Sequence, residues 1–159
     1  MSRLDLDAWA LESHRRAVAG RARLAEEIVP FAGALADDLP SESLSTAELA
    51  AAKAVHPLGL VTSRNMHAIA DGGSAVFLAE GAWARAPGRQ PLARIVACAY
   101  AAVPPQSMGV ASVPAVAAAL AKAGWTAAEV DLWEINETFS AQLLIDAREL
   151  GLDLARVNV

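Results

Sequence analysis

Two apolar runs, Gly72–Ala79 and Ala93–Val103, constrain the fold of this chain more than any other feature. Each is bounded by glycine or proline and lacks the polar–apolar alternation of a strand with one wet face. A β-strand has this composition when both its faces are covered, usually by helices above and below a sheet. With a third short strand over 130–135 and helices between, the pattern predicts an α/β layered arrangement. The intervening helices are too few to cover both faces and both edges of such a sheet. Residues 70–159 are therefore expected to form a partial sheet, completed by further chain or by a partner.

Composition narrows the function classes. A chain of 159 residues suffices for one domain with a substantial core. Hydrophobic residues make up 55%, and mean hydropathy is +0.32, so many side chains must be buried or must seek a partner. No run reaches the roughly 18 uninterrupted apolar residues of a membrane span. Asp5 and Asp7 fall where a signal peptide needs an apolar region, so a soluble cytoplasmic protein is expected. A net charge of −5, a pI near 5.1 and only two lysines, Lys53 and Lys122, argue against a nucleic-acid partner. Cys98 is the only cysteine, which excludes an internal disulfide and a multi-cysteine metal site. Its apolar neighbours predict a buried, structural thiol.

Local signals place the helices. Ser2 and Asp5 form a capping-box pattern opening a helix over about 3–22, with Leu4, Ala8, Leu11 and Val18 near one face. Residues 26–43 carry Pro30, Gly33 and Pro40 and are expected to be a surface loop. Ser45 and Glu48 repeat the capping box before a short helix to about Ala54, which His56-Pro57 terminates. A helix from Ser112, with Pro114 in its first turn, should close at Gly124. Thr126 and Glu129 form a third capping box, and a last helix over 137–150 should close at Gly151. Its expected buried stripe is Phe139, Leu143, Ala147 and Leu150.

The segment Trp133–Gln142 is where chemistry is expected. It sets Asn136 at a strand-to-helix junction, where a side-chain amide can cap the helix or face a ligand. Glu134 and Glu137 invite an acid–base role, but carboxylates at a helix start also complement the dipole. His14 and His56 have no metal-ligand company, and Asp71-Gly72-Gly73-Ser74 lacks the spacing of a phosphate-binding loop. No metal or cofactor is implied.

Ordered motifs resemble the thiolase family, whose members make or cleave a carbon–carbon bond between acyl-CoA units. They are Asp5–Ala17 and Glu26–Pro30, then Val61–Gly72, Met108-Gly109, Ala123–Trp125 and Glu134–Phe139. The resemblance implies a partial thiolase-like layered fold, with 1–70 as a loop-domain-like helical segment and 71–159 as the first half of the C-terminal α/β domain. It implies that Asn136 holds a water contributing to an oxyanion hole, and that Met108 and Phe139 border the acyl or pantetheine pocket. His67 departs from the small hydroxyl residue common in the family at the pantetheine arm, and Arg64 replaces a small residue nearby. Either side chain is a candidate for coenzyme A binding. Thiolase chemistry also needs a nucleophilic cysteine, a histidine and a base cysteine, and none of their motifs occurs here. The resemblance therefore implies part of a thiolase acting on acyl-CoA, inactive alone. It would be completed by the remaining thiolase segments or a partner subunit in a homo- or hetero-oligomer. A noncatalytic acyl-CoA- or lipid-binding scaffold subunit is the alternative.

Overall fold

The structure, a computed structural model, describes residues 1–31, 33 and 40–159. Five α-helices run in order: α1 (Arg3–Leu24), α2 (Thr46–Ala51), α3 (Gly81–Ala84), α4 (Ser112–Ala123) and α5 (Ser140–Leu150). Three 3-10 turns, over Pro105–Val110, Ala127–Glu129 and Leu154–Arg156, join or follow them. All three capping boxes form: Ser2 with Asp5, Ser45 with Glu48, and Thr126 with Glu129. The third opens a 3-10 turn, because Val130 already turns to extended geometry. Gly124 and Gly151 end α4 and α5 at φ 73° and 67°, left-handed conformations that favour glycine.

The core lies between α1 and α5. Trp9, Leu143 and Val157 are buried together, with Trp133, Ile135 and Leu154 packed against them. A second cluster joins Ala10 to Leu44 and Leu49 beneath α2. The buried face of α1 is therefore Leu6, Asp7, Trp9 and Ala10, not the expected Leu4–Ala8 line, and Leu4 is 75% exposed. Alanine and leucine occur on several faces of α1, so the burial of Trp9, the largest side chain, decides its rotation. Arg16 fixes that rotation: its guanidinium donates to the carbonyls of Leu154 (3.2 Å) and Val157 (2.5 Å).

Asp7 anchors a buried polar knot. It accepts from Arg3 Nε (2.7 Å) and from Asn65 Nδ2 (2.8 Å), while Asn65 Oδ1 accepts the Thr62 N–H (2.8 Å). The 62–67 loop is thereby tied to α1. Its other side meets the start of α5 through Ser140 N–H to Asn65 O (3.0 Å) and His67 N–H to Thr138 O (3.1 Å).

Several expected elements differ. The strands over 72–79, 93–103 and 130–135 do not form among the described residues; the only bridges are isolated ones at Ala54–Thr62, Met66–Phe139 and Trp133–Val157. Among the described residues, no backbone–backbone hydrogen bond begins or ends within 68–79 or 90–103. A strand exists only through its neighbours, and these segments find none in the chain described. Helix α2 stops at Ala51 because Ala54 bridges Thr62 and the Val55 N–H reaches Val61 O at 2.8 Å. Helix α5 starts at Ser140 rather than 137, since Phe139 is held in the Met66 bridge. Of the loop expected over 26–43, residues 32 and 34–39 lie outside the described residues.

Candidate functional site

Two adjoining clefts meet at the segment before α5. The larger, about 1480 Å³, lies between α1, the loop of residues 63–68 and residues 134–137; Arg64 and His67 line it. The smaller, about 290 Å³, lies between the 3-10 turn at 105–110 and residues 135–142; Met108 and Phe139 line it. Ile135 and Asn136 line both. Arg64, His67, Met108, Phe139 and Asn136 thus line two neighbouring clefts, with Asn136 common to both.

Asn136 is not a helix cap. The N-cap of α5 is Phe139, which makes no side-chain cap hydrogen bond. Asn136 is exposed, and its Nδ2 donates to Thr138 Oγ1 at 3.3 Å. Its Oδ1 accepts no hydrogen bond from the described residues, so the amide has an acceptor to offer a ligand or water. Arg64 and His67 are likewise exposed to the larger cleft, and His67 Nδ1 pairs with the Ala68 carbonyl (2.9 Å).

Around these residues is a scaffold that the sequence did not single out. Gln142 Oε1 accepts the Thr138 N–H (3.2 Å), and its Nε2 donates to Asp146 Oδ2. Ser112 Oγ donates to the same oxygen (2.6 Å), which joins α4 to fully buried Asp146 on α5. Asn158 Oδ1 accepts the Ile135 N–H (2.7 Å), and its Nδ2 donates to Ile135 O (2.8 Å) and Glu137 Oε1 (2.6 Å). The available signals were a polar residue at each i+4 step of α5, Gln142 and Asp146, and an asparagine between two valines. Neither reveals a partner more than 20 positions away.

Electrostatically the larger cleft is mixed, with Arg16, Arg23 and Arg64 facing Glu134 and Glu137. Burial holds the His14 imidazole below its ordinary value; Glu137 opposes that shift and Arg64 adds to it. His14 Nδ1 accepts the Ser41 N–H at 2.9 Å, so this edge of the cleft is built on a neutral ring. Cys98 lines neither cleft and is exposed, contrary to the buried thiol expected. Its run lies on the surface because no ladder draws it inward. No helix among the described residues is long and apolar enough to cross a membrane.

Residues 1–82 match the N-terminal domain of thiolase, and residues 89–159 match its C-terminal domain. The chain belongs to the thiolase family. Among thiolase-family relatives, the acetyl-CoA acetyltransferase of Pseudomonas aeruginosa is 40% identical over 171 aligned positions, spanning 100% of this chain and 44% of the relative. The cytosolic acetyl-CoA acetyltransferase of Mus musculus is 46% identical over 101, spanning 64% of this chain and 25% of the relative. Human mitochondrial 3-ketoacyl-CoA thiolase in complex with CoA superposes with a TM-score of 0.93 at 33% identity, covering 100% of this chain and 42% of that one. The Bacillus anthracis acetyl-CoA acetyltransferase gives 0.89 at 32%, covering 99% and 43%. The fold is thus a thiolase layered fold in part, mostly helical here. The chain spans less than half the length of these relatives.

Proposed function

We propose that this chain is part of a thiolase acting on acyl-CoA thioesters, by Claisen condensation or thiolysis, and that it supplies a wall of the coenzyme A pocket and an oxyanion-side amide. The observation carrying this reading is Asn136 at the junction of two clefts, with Arg64 and His67 in one and Met108 and Phe139 in the other. In thiolase chemistry a cysteine thiolate takes the acyl group from the thioester, releasing coenzyme A. A second cysteine removes a proton from the incoming acyl-CoA, and the resulting carbanion attacks the acyl-enzyme carbonyl. Both steps pass through an oxyanion, whose charge a water held by Asn136 would stabilise. Arg64 would meet phosphate and His67 the pantetheine arm, while Met108 and Phe139 would pack against apolar ligand atoms.

The nucleophile, the catalytic histidine and the base cysteine come from outside these 159 residues; the single cysteine, Cys98, lines neither cleft. Residues 1–70 act as a loop-domain-like segment and 71–159 as the first half of the C-terminal domain. Coenzyme A is substrate rather than cofactor, and the working unit is an oligomer with the remaining thiolase segments or a partner subunit. The test is acetoacetyl-CoA thiolysis by the isolated chain together with calorimetric titration of coenzyme A. Binding without turnover is expected; turnover by the chain alone overturns the division of labour. A second reading, a noncatalytic acyl-CoA- or lipid-binding scaffold subunit, is favoured by the exposed apolar runs. Co-purification with a catalytically complete partner would select it.

A further inference from the structure

We propose that Asn158 is the positioning residue that presents Asn136 to the junction of the two clefts. The inference rests on the reading of Asn136 as the oxyanion-side amide, but its geometry stands by itself. The Asn158 amide makes three of its four possible hydrogen bonds, all of them to the two neighbours of Asn136. Its oxygen takes the Ile135 N–H at 2.7 Å, one Nδ2 hydrogen goes to Ile135 O at 2.8 Å, and the other to Glu137 Oε1 at 2.6 Å. The side chain thus pairs with Ile135 as a neighbouring strand's peptide would, and it stands in for a ladder this segment otherwise lacks. The backbone repeats the grip one step earlier: Asn158 N–H donates to Trp133 O at 2.8 Å, beside the parallel Trp133–Val157 bridge.

Residues 133, 135 and 137 are therefore all held by residues 156–158, since the Trp133 N–H also reaches Arg156 O at 2.8 Å. Asn136 lies between two of these fixed points and is left with one weak internal contact, Thr138 Oγ1 at 3.3 Å. Pairing both peptide groups of Ile135 and tethering the Glu137 carboxylate restrains the chain on either side of Asn136 without using its amide. Asn158 itself sits at φ 53°, a left-handed conformation that side-chain-bearing residues rarely adopt and asparagine tolerates best. Glycine would satisfy that backbone more easily, so what asparagine adds here is the amide.

That contrast supplies the test. Asn158→Gly keeps the backbone N–H to Trp133 and suits the left-handed backbone, but it removes all three side-chain hydrogen bonds. In the ¹⁵N-labelled chain, the Asn136 side-chain amide (assigned by its loss in Asn136→Asp) should move toward the position of a free amide. Hydrogen exchange at the Ile135 amide should rise at least about tenfold, whereas Leu143 and Ala147 on α5 stay as they were. Glu137→Ala, which removes one contact of the three, should move the Asn136 signal less. Calorimetric titration of coenzyme A into the same proteins should show weaker binding by Asn158→Gly. Unchanged Asn136 signals in Asn158→Gly overturn the positioning role, and so does a change spread equally over α1 and α5, which would make Asn158 a general structural residue. If the unaltered chain binds no coenzyme A while the Asn136 signal still responds to Asn158→Gly, the functional reading fails and the positioning geometry survives.

Discussion

Residues 133–158 and residues 68–103 are both rich in apolar side chains, and the chain treats them oppositely. In the first, Leu143 and Val157 are fully buried, and the backbone of Trp133, Ile135 and Asn158 is paired. In the second, Val76, Phe77, Ile95 and Tyr100 are 84%, 83%, 70% and 92% exposed. Apolar content alone does not bury a segment. Burial follows when the backbone polar groups can be satisfied at the same time. Residues 133–158 achieve this with helix α5, a side-chain amide, an arginine and two isolated bridges, whereas 68–79 and 90–103 would need strands that none of the described residues supplies.

The sharpest way to break this comparison is to truncate one apolar side chain in each region. Leu143→Ala should lower unfolding stability by about 2–5 kcal/mol, measured by urea denaturation. Ile95→Ala should stay within about 0.5 kcal/mol of the unaltered chain. Equal losses would mean that the exposed run is buried in solution.

Asn65→Ala probes the polar side of the same distinction. It leaves Asp7 Oδ1 and the Thr62 N–H without their partner, while Arg3 still holds Asp7 Oδ2, so a loss of about 1–3 kcal/mol is expected, read as a lower melting temperature. A near-neutral result would show that water replaces the amide. Ser45→Ala removes only a helix cap on α2, and about 1 kcal/mol should be lost in the same melt.

The smallest effect concerns pH. The folded state holds His14 below its ordinary value of 6.5, so the unfolded chain binds that proton more strongly. The resulting stability is complete above about pH 6.5 and is lost as pH falls toward the lowered folded value. Solvent around this half-buried ring screens the effect, so a shallow fall in melting temperature is expected from pH 7.5 to 5.5. His14→Gln, which keeps an acceptor for the Ser41 N–H, should flatten that slope. The carboxylates of Asp5, Glu12, Glu80 and Glu129 are held below their ordinary range by hydrogen bonds, so they lose their contribution only at lower pH.

What the sequence disclosed depended on distance along the chain. Capping boxes at Ser2, Ser45 and Thr126 and glycine stops at Gly124 and Gly151 involve residues within one turn, and all were legible. The apolar runs announced a requirement for a sheet, but a strand needs a neighbour remote in sequence, and no local pattern says whether one is present. Asn136 was expected to cap the last helix, but the cap position falls at Phe139. The Met66–Phe139 bridge, which delays α5 to Ser140, joins residues 73 positions apart. The grip of Asn158 on Ile135 was invisible for the same reason. The ordered motifs identified the family because they carry the outcome of such long-range contacts without displaying them.

The clasp of Arg16 on the carbonyls of Leu154 and Val157 also bears on the order of assembly. Its partners are 138 and 141 positions apart, and Trp9 finds Val157 over a similar span. During synthesis α1 emerges well before residues 154–157, which cover its apolar face. Closing so long a loop is slow, so α1 should dock late, once residues 154–157 have been made. Until then Trp9 stays uncovered on the nascent chain, a surface suited to a holdase chaperone.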